Sequence, residues 1–132
     1  MKVLFVCSGN AHRSPLAEAL LKKRKPDWIV DSAGIQVAIP VAQEIKEFLR
    51  TEKAEQYLKR TPDSLNAKRL EDYDIIVAME NKHREYVLNL CPKCDGKTVV
   101  WNIKDPYFME KKDAWKVYER IGKKVAELAK PK

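Results

Sequence analysis

Lys2-Val3-Leu4-Phe5-Val6-Cys7-Ser8-Gly9-Asn10-Ala11-His12-Arg13-Ser14-Pro15 joins a strand signal to a helix signal through a loop that carries a thiol and a guanidinium. Lys2–Val6 reads as a short strand buried on both faces, because its apolar residues are continuous rather than alternating. Ser14 followed by Pro15 has the residue types of an N-cap and a first helical position. Glu18 falls in the first turns, where negative charge suits the helix dipole. Leu16, Ala17, Leu20 and Leu21 form one apolar stripe, and the basic run Lys22–Lys25 with Pro26 ends the helix.

Outward from this unit the pattern repeats. Trp28–Val30 predicts a second strand, closed by Asp31-Ser32-Ala33-Gly34. Pro40 starts a helix with Val41, Ile45, Phe48 and Leu49 on its apolar face, which runs on or kinks through Thr51–Arg60. Asn66 caps a short helical segment. Asp74–Ala78 is a third buried strand, Asn81–Leu90 a helix with Val87 and Leu88 inward, and Thr98–Trp101 a fourth strand. The last helix carries Ala114, Val117, Tyr118, Ile121, Val125 and Leu128 on one face at helical spacing. The order β-α-β-α-β-α-β-α implies an α/β fold with parallel strands and helices on both faces. In such sheets ligands bind beyond the carboxyl ends of the strands. Cys7, Asp31–Gly34, Met79–Glu80 and Asp105 should therefore share one rim.

Within 132 residues, residues 1–132 are expected to form a single domain. Lys and Arg total 26 against 19 Asp and Glu, a net charge of +7 that attracts phosphorylated protein, nucleic acid or acidic membrane. Basic residues are not interleaved with aromatics in a nucleic-acid-binding pattern, so no nucleic-acid partner is expected. No stretch approaches membrane-spanning length, and three cysteines without framework spacing suggest a reducing compartment. A cytoplasmic monomer or weak dimer without membrane contact is the expectation. Cys91 and Cys94 have zinc-knuckle spacing but no second pair, so no metal and no cofactor are assigned; a local disulfide or two free thiols fit better.

The loop itself has a specific chemistry. A turn leading into a helix N-terminus aims several backbone N–H groups at one point, and the helix dipole adds to them. Gly9 and Asn10 tolerate the left-handed backbone such a nest needs. Arg13 offers a planar fork for two oxygens of a phosphate. The same field favours the nucleophilic thiolate of Cys7, which is set up for in-line attack. Ser14 is close enough to donate to the sulfur. By spacing alone, a Cys-x5-Arg pair occurs by chance; the flanking strand, helix and Gly9-Asn10 give it meaning.

The run from Val3 to Leu20 resembles the low-molecular-weight protein tyrosine phosphatases, whose signature has the form V-C-x-G-N-x-C-R-S-P-x-A-E. Asp31-Ser32-Ala33-Gly34, Asp74 to Glu80 and Asp105-Pro106-Tyr107-Phe108 match in the same order. The resemblance implies a flavodoxin-like three-layer sandwich with a four-stranded parallel sheet in order 2-1-3-4. It also implies Cys7 as nucleophile, Arg13 as phosphate clamp and Asp105 as general acid. Ser8, Gly9, Asn10, Ala11, His12 and Ser14 would form the phosphate-binding loop, with Asn10 and Ser14 ordering it. Tyr107 and Phe108 would wall a slot for a phenyl ring. Phosphotyrosine in protein substrates is the implied target. A carboxylic acid at Asp105 suits this chemistry, because a tyrosine oxyanion leaves poorly unless protonated.

The chain departs from the signature in three places. His12 stands where these phosphatases usually carry a second cysteine, which removes a protective disulfide and leaves Cys7 open to overoxidation. His12 could act as a nearby cation or point to solvent. Ala11 matches neither the bulkier residue of tyrosine-specific members nor the polar β-branched residue of arginine phosphatases. Ile35 to Pro40 is shorter than the loop that usually supplies an aromatic wall. Two rival activities use the same fold and anion loop: thioredoxin-coupled arsenate reduction and protein arginine phosphatase activity. The reductase needs two relay thiols after the third strand, and Glu80 and Tyr86 stand there. A non-catalytic module that binds anions through the basic surface is the rival outside the enzymes.

Overall fold

The computed structural model describes residues 1–131. In chain order the main elements are β1 (Lys2–Cys7), α1 (Arg13–Arg24), β2 (Ile29–Gly34), α2 (Glu44–Thr51), β3 (Ile75–Ala78), α3 (Asn81–Leu90), β4 (Thr98–Val100) and α4 (Lys111–Ala129). Short 3-10 turns at Glu55–Tyr57, Leu65–Ala67, Leu70–Asp72 and Pro92–Lys97 fill the connections. The strands form one parallel sheet in the order β2-β1-β3-β4, the flavodoxin-like arrangement that the resemblance implies.

Because side chains alternate along a strand, β1 feeds two cores at once. Val3, Phe5 and Cys7 join the apolar cluster under α1, α2 and α4, while Leu4 and Val6 join the cluster under α3. This is why the run is continuously apolar. The first cluster is closed by Ile45, Phe48 and Leu49 of α2 and by Ala114, Tyr118, Ile121 and Val125 of α4. Helix α1, packed between the sheet and α4, is buried from Arg13 through Leu21.

Several boundaries differ from the sequence reading, each for a local reason. Strand β2 does not stop at Val30 but pairs with β1 as far as Cys7↔Gly34. Asp31 can sit in a strand because Lys68 (2.8 Å) and the Tyr73 hydroxyl (3.0 Å) bind its carboxylate. Gly34 is required by close approach: a Cβ there would lie 2.7 Å from the Asn10 nitrogen and 2.7 Å from the Gly9 carbonyl carbon. Helix α2 starts at Glu44 rather than Pro40, because the chain before it is drawn to the Cys7 loop. There Gln36 N–H donates to the Ser8 carbonyl (2.8 Å) and Ala42 N–H to the Ala11 carbonyl (2.8 Å). Ser64, not Asn66, caps its 3-10 turn by accepting from the Asn66 N–H. Helix α1 starts at Arg13, one residue before the expected cap, because the Ser14 hydroxyl is engaged elsewhere. Cys91 and Cys94 are bonded to each other across a turn at the end of α3, in the core beneath that helix.

Candidate active site

Strand β1 delivers Cys7 to the carboxyl edge of the sheet, and residues 8–12 wrap over its sulfur before α1 begins. Asn10 takes the left-handed conformation (φ 54°) that turns the loop inward. The carbonyls of Cys7, Ser8 and Ala11 point outward to the N–H groups of Ile35, Gln36 and Ala42. Among the described residues, none of the N–H groups of Gly9 through His12 reaches a protein acceptor. Asn10 and Ala11 are nonetheless buried. Buried backbone N–H groups are rarely left unpaired. A ring of them at a helix N-terminus is an oxyanion receptor.

The sulfur is held by a chain of hydrogen bonds whose direction can be followed. Asn10 Nδ2 donates to Ser14 Oγ (2.8 Å) and to Ser32 Oγ (2.9 Å). Ser14 Oγ, already accepting, lies 2.9 Å from Cys7 Sγ and keeps its own proton for the sulfur. Ser32 Oγ donates to Glu18 Oε1 (2.5 Å), and Lys22 binds the other Glu18 oxygen (2.7 Å). Asn10 Oδ1 accepts from Lys59 Nζ and from the Asp63 N–H, both at 2.8 Å. Glu18, expected as a helix-dipole charge, is instead a buried strut beneath the loop. Asp63 completes this support. Burial alone would raise its pKa, but hydrogen bonds and charge from Lys59 and Lys68 outweigh burial and hold it below the usual carboxylate range.

Arg13 is buried and fixed along one edge. Its Nη1 donates to Glu80 Oε2 (2.6 Å) and to the Ile103 carbonyl (2.8 Å). Its Nη2 lies 3.4 Å from Ser8 Oγ and 3.7 Å from Asp105 Oδ2. Glu80 stays ionised: burial opposes its charge, but the Arg13 hydrogen bond and charge outweigh it and lower the pKa. His83 is fully buried, accepts the Glu80 N–H at Nδ1 (3.0 Å) and so carries its proton on Nε2, 2.9 Å from Ser8 Oγ. Burial and the Arg13 charge lower its pKa to about 4. It is therefore a neutral donor that orients Ser8.

The cleft above the loop has a volume of about 210 Å³. Asp105 and Tyr107 line it on one side; Gln36, Ala38 and Ile39 of the short connection after β2 supply a wall without an aromatic ring. Asp105 is half exposed and accepts the Tyr107 N–H at Oδ1 (3.0 Å), a turn that keeps its second oxygen over the anion site. Phe108 does not line the cleft. It is 94 % exposed and packs edge-on against the outer face of Tyr107 (4.6 Å). His12 does not point to solvent. It lines the cleft edge-on to Tyr107 (5.9 Å), and burial lowers its pKa despite Glu44 at 3.6 Å. Among the described residues no three His, Cys, Asp or Glu side chains cluster as metal ligands. Likewise no helix is long and apolar enough to cross a membrane.

The structure therefore brings Cys7, Ser8, Gly9, Ala11, His12, Arg13, Asp105 and Tyr107 to one cleft, with Asn10 and Ser14 buried beneath it. Sequence reasoning left Glu80, His83, Ser32 and Lys59 without roles. Ser32 and Glu80 lay in stretches already noted, but their partners stand 22 and 67 residues away in sequence.

Comparison with known proteins agrees with this geometry. The family profile described as "Low molecular weight phosphotyrosine protein phosphatase" matches residues 2–131. The low molecular weight protein-tyrosine-phosphatase Etp of Escherichia coli K12 is 32 % identical over 137 residues, covering 97 % of this chain and 92 % of its own. The structure of Vibrio vulnificus Wzb in complex with benzylphosphonate superposes with a TM-score of 0.86 at 28 % identity, covering 97 % of this chain and 96 % of that one. The YwlE arginine phosphatase of Geobacillus stearothermophilus, 24 % identical with a TM-score of 0.86 over 97 % of this chain and 90 % of its own, shares the fold. A profile match over almost the whole length, on a chain whose anion loop folds around a cysteine as that signature demands, leaves one assignment: the chain belongs to the low molecular weight phosphotyrosine protein phosphatase family.

Proposed function

We propose that this protein is a protein tyrosine phosphatase that hydrolyses phosphotyrosine, and aryl phosphates generally, through a phosphocysteine intermediate. One observation carries the reading. The Cys7 sulfur, held by the Ser14 hydroxyl at 2.9 Å, lies under a ring of uncommitted N–H groups with Arg13 anchored beside it. In the first step the Cys7 thiolate attacks phosphorus and the phosphorus–oxygen bond to the phenol breaks. Asp105, as the acid, gives its proton to the departing oxygen. The loop N–H groups and Arg13 Nη2 stabilise the charge on the transferring phosphoryl oxygens. In the second step the Asp105 carboxylate takes a proton from water, water attacks phosphorus, the sulfur–phosphorus bond breaks, and phosphate and thiolate are regenerated. Tyr107 and Ile39 supply apolar surface for the phenyl ring.

The partners on this reading are phosphorylated proteins, and the setting is the cytoplasm. Arsenate reduction by a thiol relay lacks support: Glu80 holds Arg13, and Cys91 and Cys94 are paired in the core under α3. The test is a rate comparison on phosphotyrosine, phosphoserine and phosphoarginine peptides, p-nitrophenyl phosphate and arsenate between pH 4 and 8. The expected order places phosphotyrosine and p-nitrophenyl phosphate first. No turnover of either, or a clear preference for phosphoarginine, overturns the reading.

A further inference from the structure

Beside the catalytic cleft lies a second cavity of about 780 Å³ between α2, α4 and the Asp105–Met109 loop. His12, Ile39 and Tyr107 line both spaces, so the cleft and the groove are adjacent and share these side chains as a wall. The far part of the groove is apolar, formed by Pro40, Val41, Met109, Trp115 and Tyr118. Trp115 is held there by edge-on packing against Phe48 (5.1 Å). Ile39 and Tyr107, which line both spaces, expose 38 and 51 % of their surface, and their near neighbours in the chain Val37 and Phe108 expose 38 and 94 %.

The rim of this groove has a charge opposite to that of the chain. Glu44 and Glu47 stand on the first turn of α2, on a protein of net charge +7. Lys111 satisfies Glu47 at 3.1 Å. The only ion-pair partner of Glu44 among the described residues is His12, at 3.6 Å. Glu44 is exposed, and among the described residues no lysine or arginine pairs with it. The site beyond His12 is therefore apolar and acidic, whereas the catalytic cleft is built for an anion.

We propose that this groove is a substrate subsite that seats the residues flanking the phosphotyrosine of a protein substrate, taking a bulky apolar side chain against Trp115 and Tyr118 and a lysine or arginine against Glu44. An extended peptide advances about 3.3 Å per residue, so a shared wall places the docked side chains within about three residues of the phosphorylated one. Affinity comes from the apolar contact; the carboxylate supplies selection against acidic flanks. The inference rests on the phosphatase reading, and the test separates the two.

Wild-type kcat/KM is measured on p-nitrophenyl phosphate and on two phosphotyrosine peptides of equal length. One peptide has leucine and lysine flanks, the other glycine and glutamate. The expected preference for the first peptide is about tenfold, the scale on which an apolar pocket discriminates. Glu44→Lys should reduce or invert the charge preference, and Trp115→Ala should remove the apolar part, each read as the peptide rate relative to the p-nitrophenyl phosphate rate. Glu44 is 71 % exposed, so its variant tests the groove even if Trp115→Ala fails to fold. Equal rates on the two peptides with p-nitrophenyl phosphate turned over overturn the subsite and leave the phosphatase standing. A preference that disappears on dilution marks the groove as a contact between copies of the chain and also overturns it. No turnover of any substrate removes both readings.

Discussion

Ser14 and Asp105 show how much one side chain can decide. Ser14 accepts from Asn10 and so has its proton left for the Cys7 sulfur. A hydrogen bond to a charged group contributes about 1.5–3 kcal/mol. Ser14→Ala should therefore lower kcat on p-nitrophenyl phosphate about ten- to hundredfold; an unchanged kcat would remove the sulfur contact from the account. Asp105 is too exposed to matter for folding and should matter only for the leaving group. Asp105→Asn should cost about a hundredfold or more on phenyl phosphate, the usual scale of general acid catalysis. The loss should be much smaller on p-nitrophenyl phosphate, whose oxyanion leaves without help. Equal losses on the two substrates would argue against an acid role. Both residues were legible in the sequence, Ser14 by its nearness to Cys7 and Asp105 only through the resemblance. The real position of Phe108 was not, because alternation in a loop does not say which of two adjacent aromatics turns inward.

At the scale of elements, the anion loop depends on β2 as much as on α1. The bend of residues 8–10 lies directly against Gly34, where an added Cβ would meet backbone atoms that cannot move aside. Gly34→Ala should destabilise the fold by about 1–3 kcal/mol and also weaken phosphate binding, as read by thermal melts with and without phosphate. Full retention of the phosphate-induced stabilisation would show that the loop tolerates the shift. The strands, α3 and α4 were readable because period and length mark them. The ends of β2 and α2 were not, because they are set by distant partners. Lys68 and Tyr73 make a strand of Asp31, and the carbonyls of Ser8 and Ala11 hold back the start of α2. Glu80 and His83 went unread for the same reason: nothing local distinguishes a glutamate that clamps Arg13 from one that faces water.

For the whole molecule, the residues that support the site also couple stability to acid. The folded state lowers the His83 pKa to about 4 from an ordinary 6.5, so between these values the unfolded chain binds the extra proton. Stability should therefore fall as pH drops through that window, by about 3 kcal/mol at most at 1.36 kcal/mol per pKa unit. Glu80, whose pKa is lowered, acts in the same direction, since protonating it at still lower pH releases Arg13. His83→Gln should flatten the loss between pH 6.5 and 4 in denaturant titrations; an equally steep loss would place the acid sensitivity elsewhere. All of this geometry serves one reaction at one atom. The most direct test is rapid acid quenching of wild-type protein during turnover of p-nitrophenyl phosphate, followed by mapping of the phosphorylated peptide. A phosphoryl group on Cys7, appearing and decaying at the rate of turnover, is the predicted result. Steady hydrolysis with no phosphorylated Cys7, or hydrolysis that survives Cys7→Ser undiminished, would contradict the account.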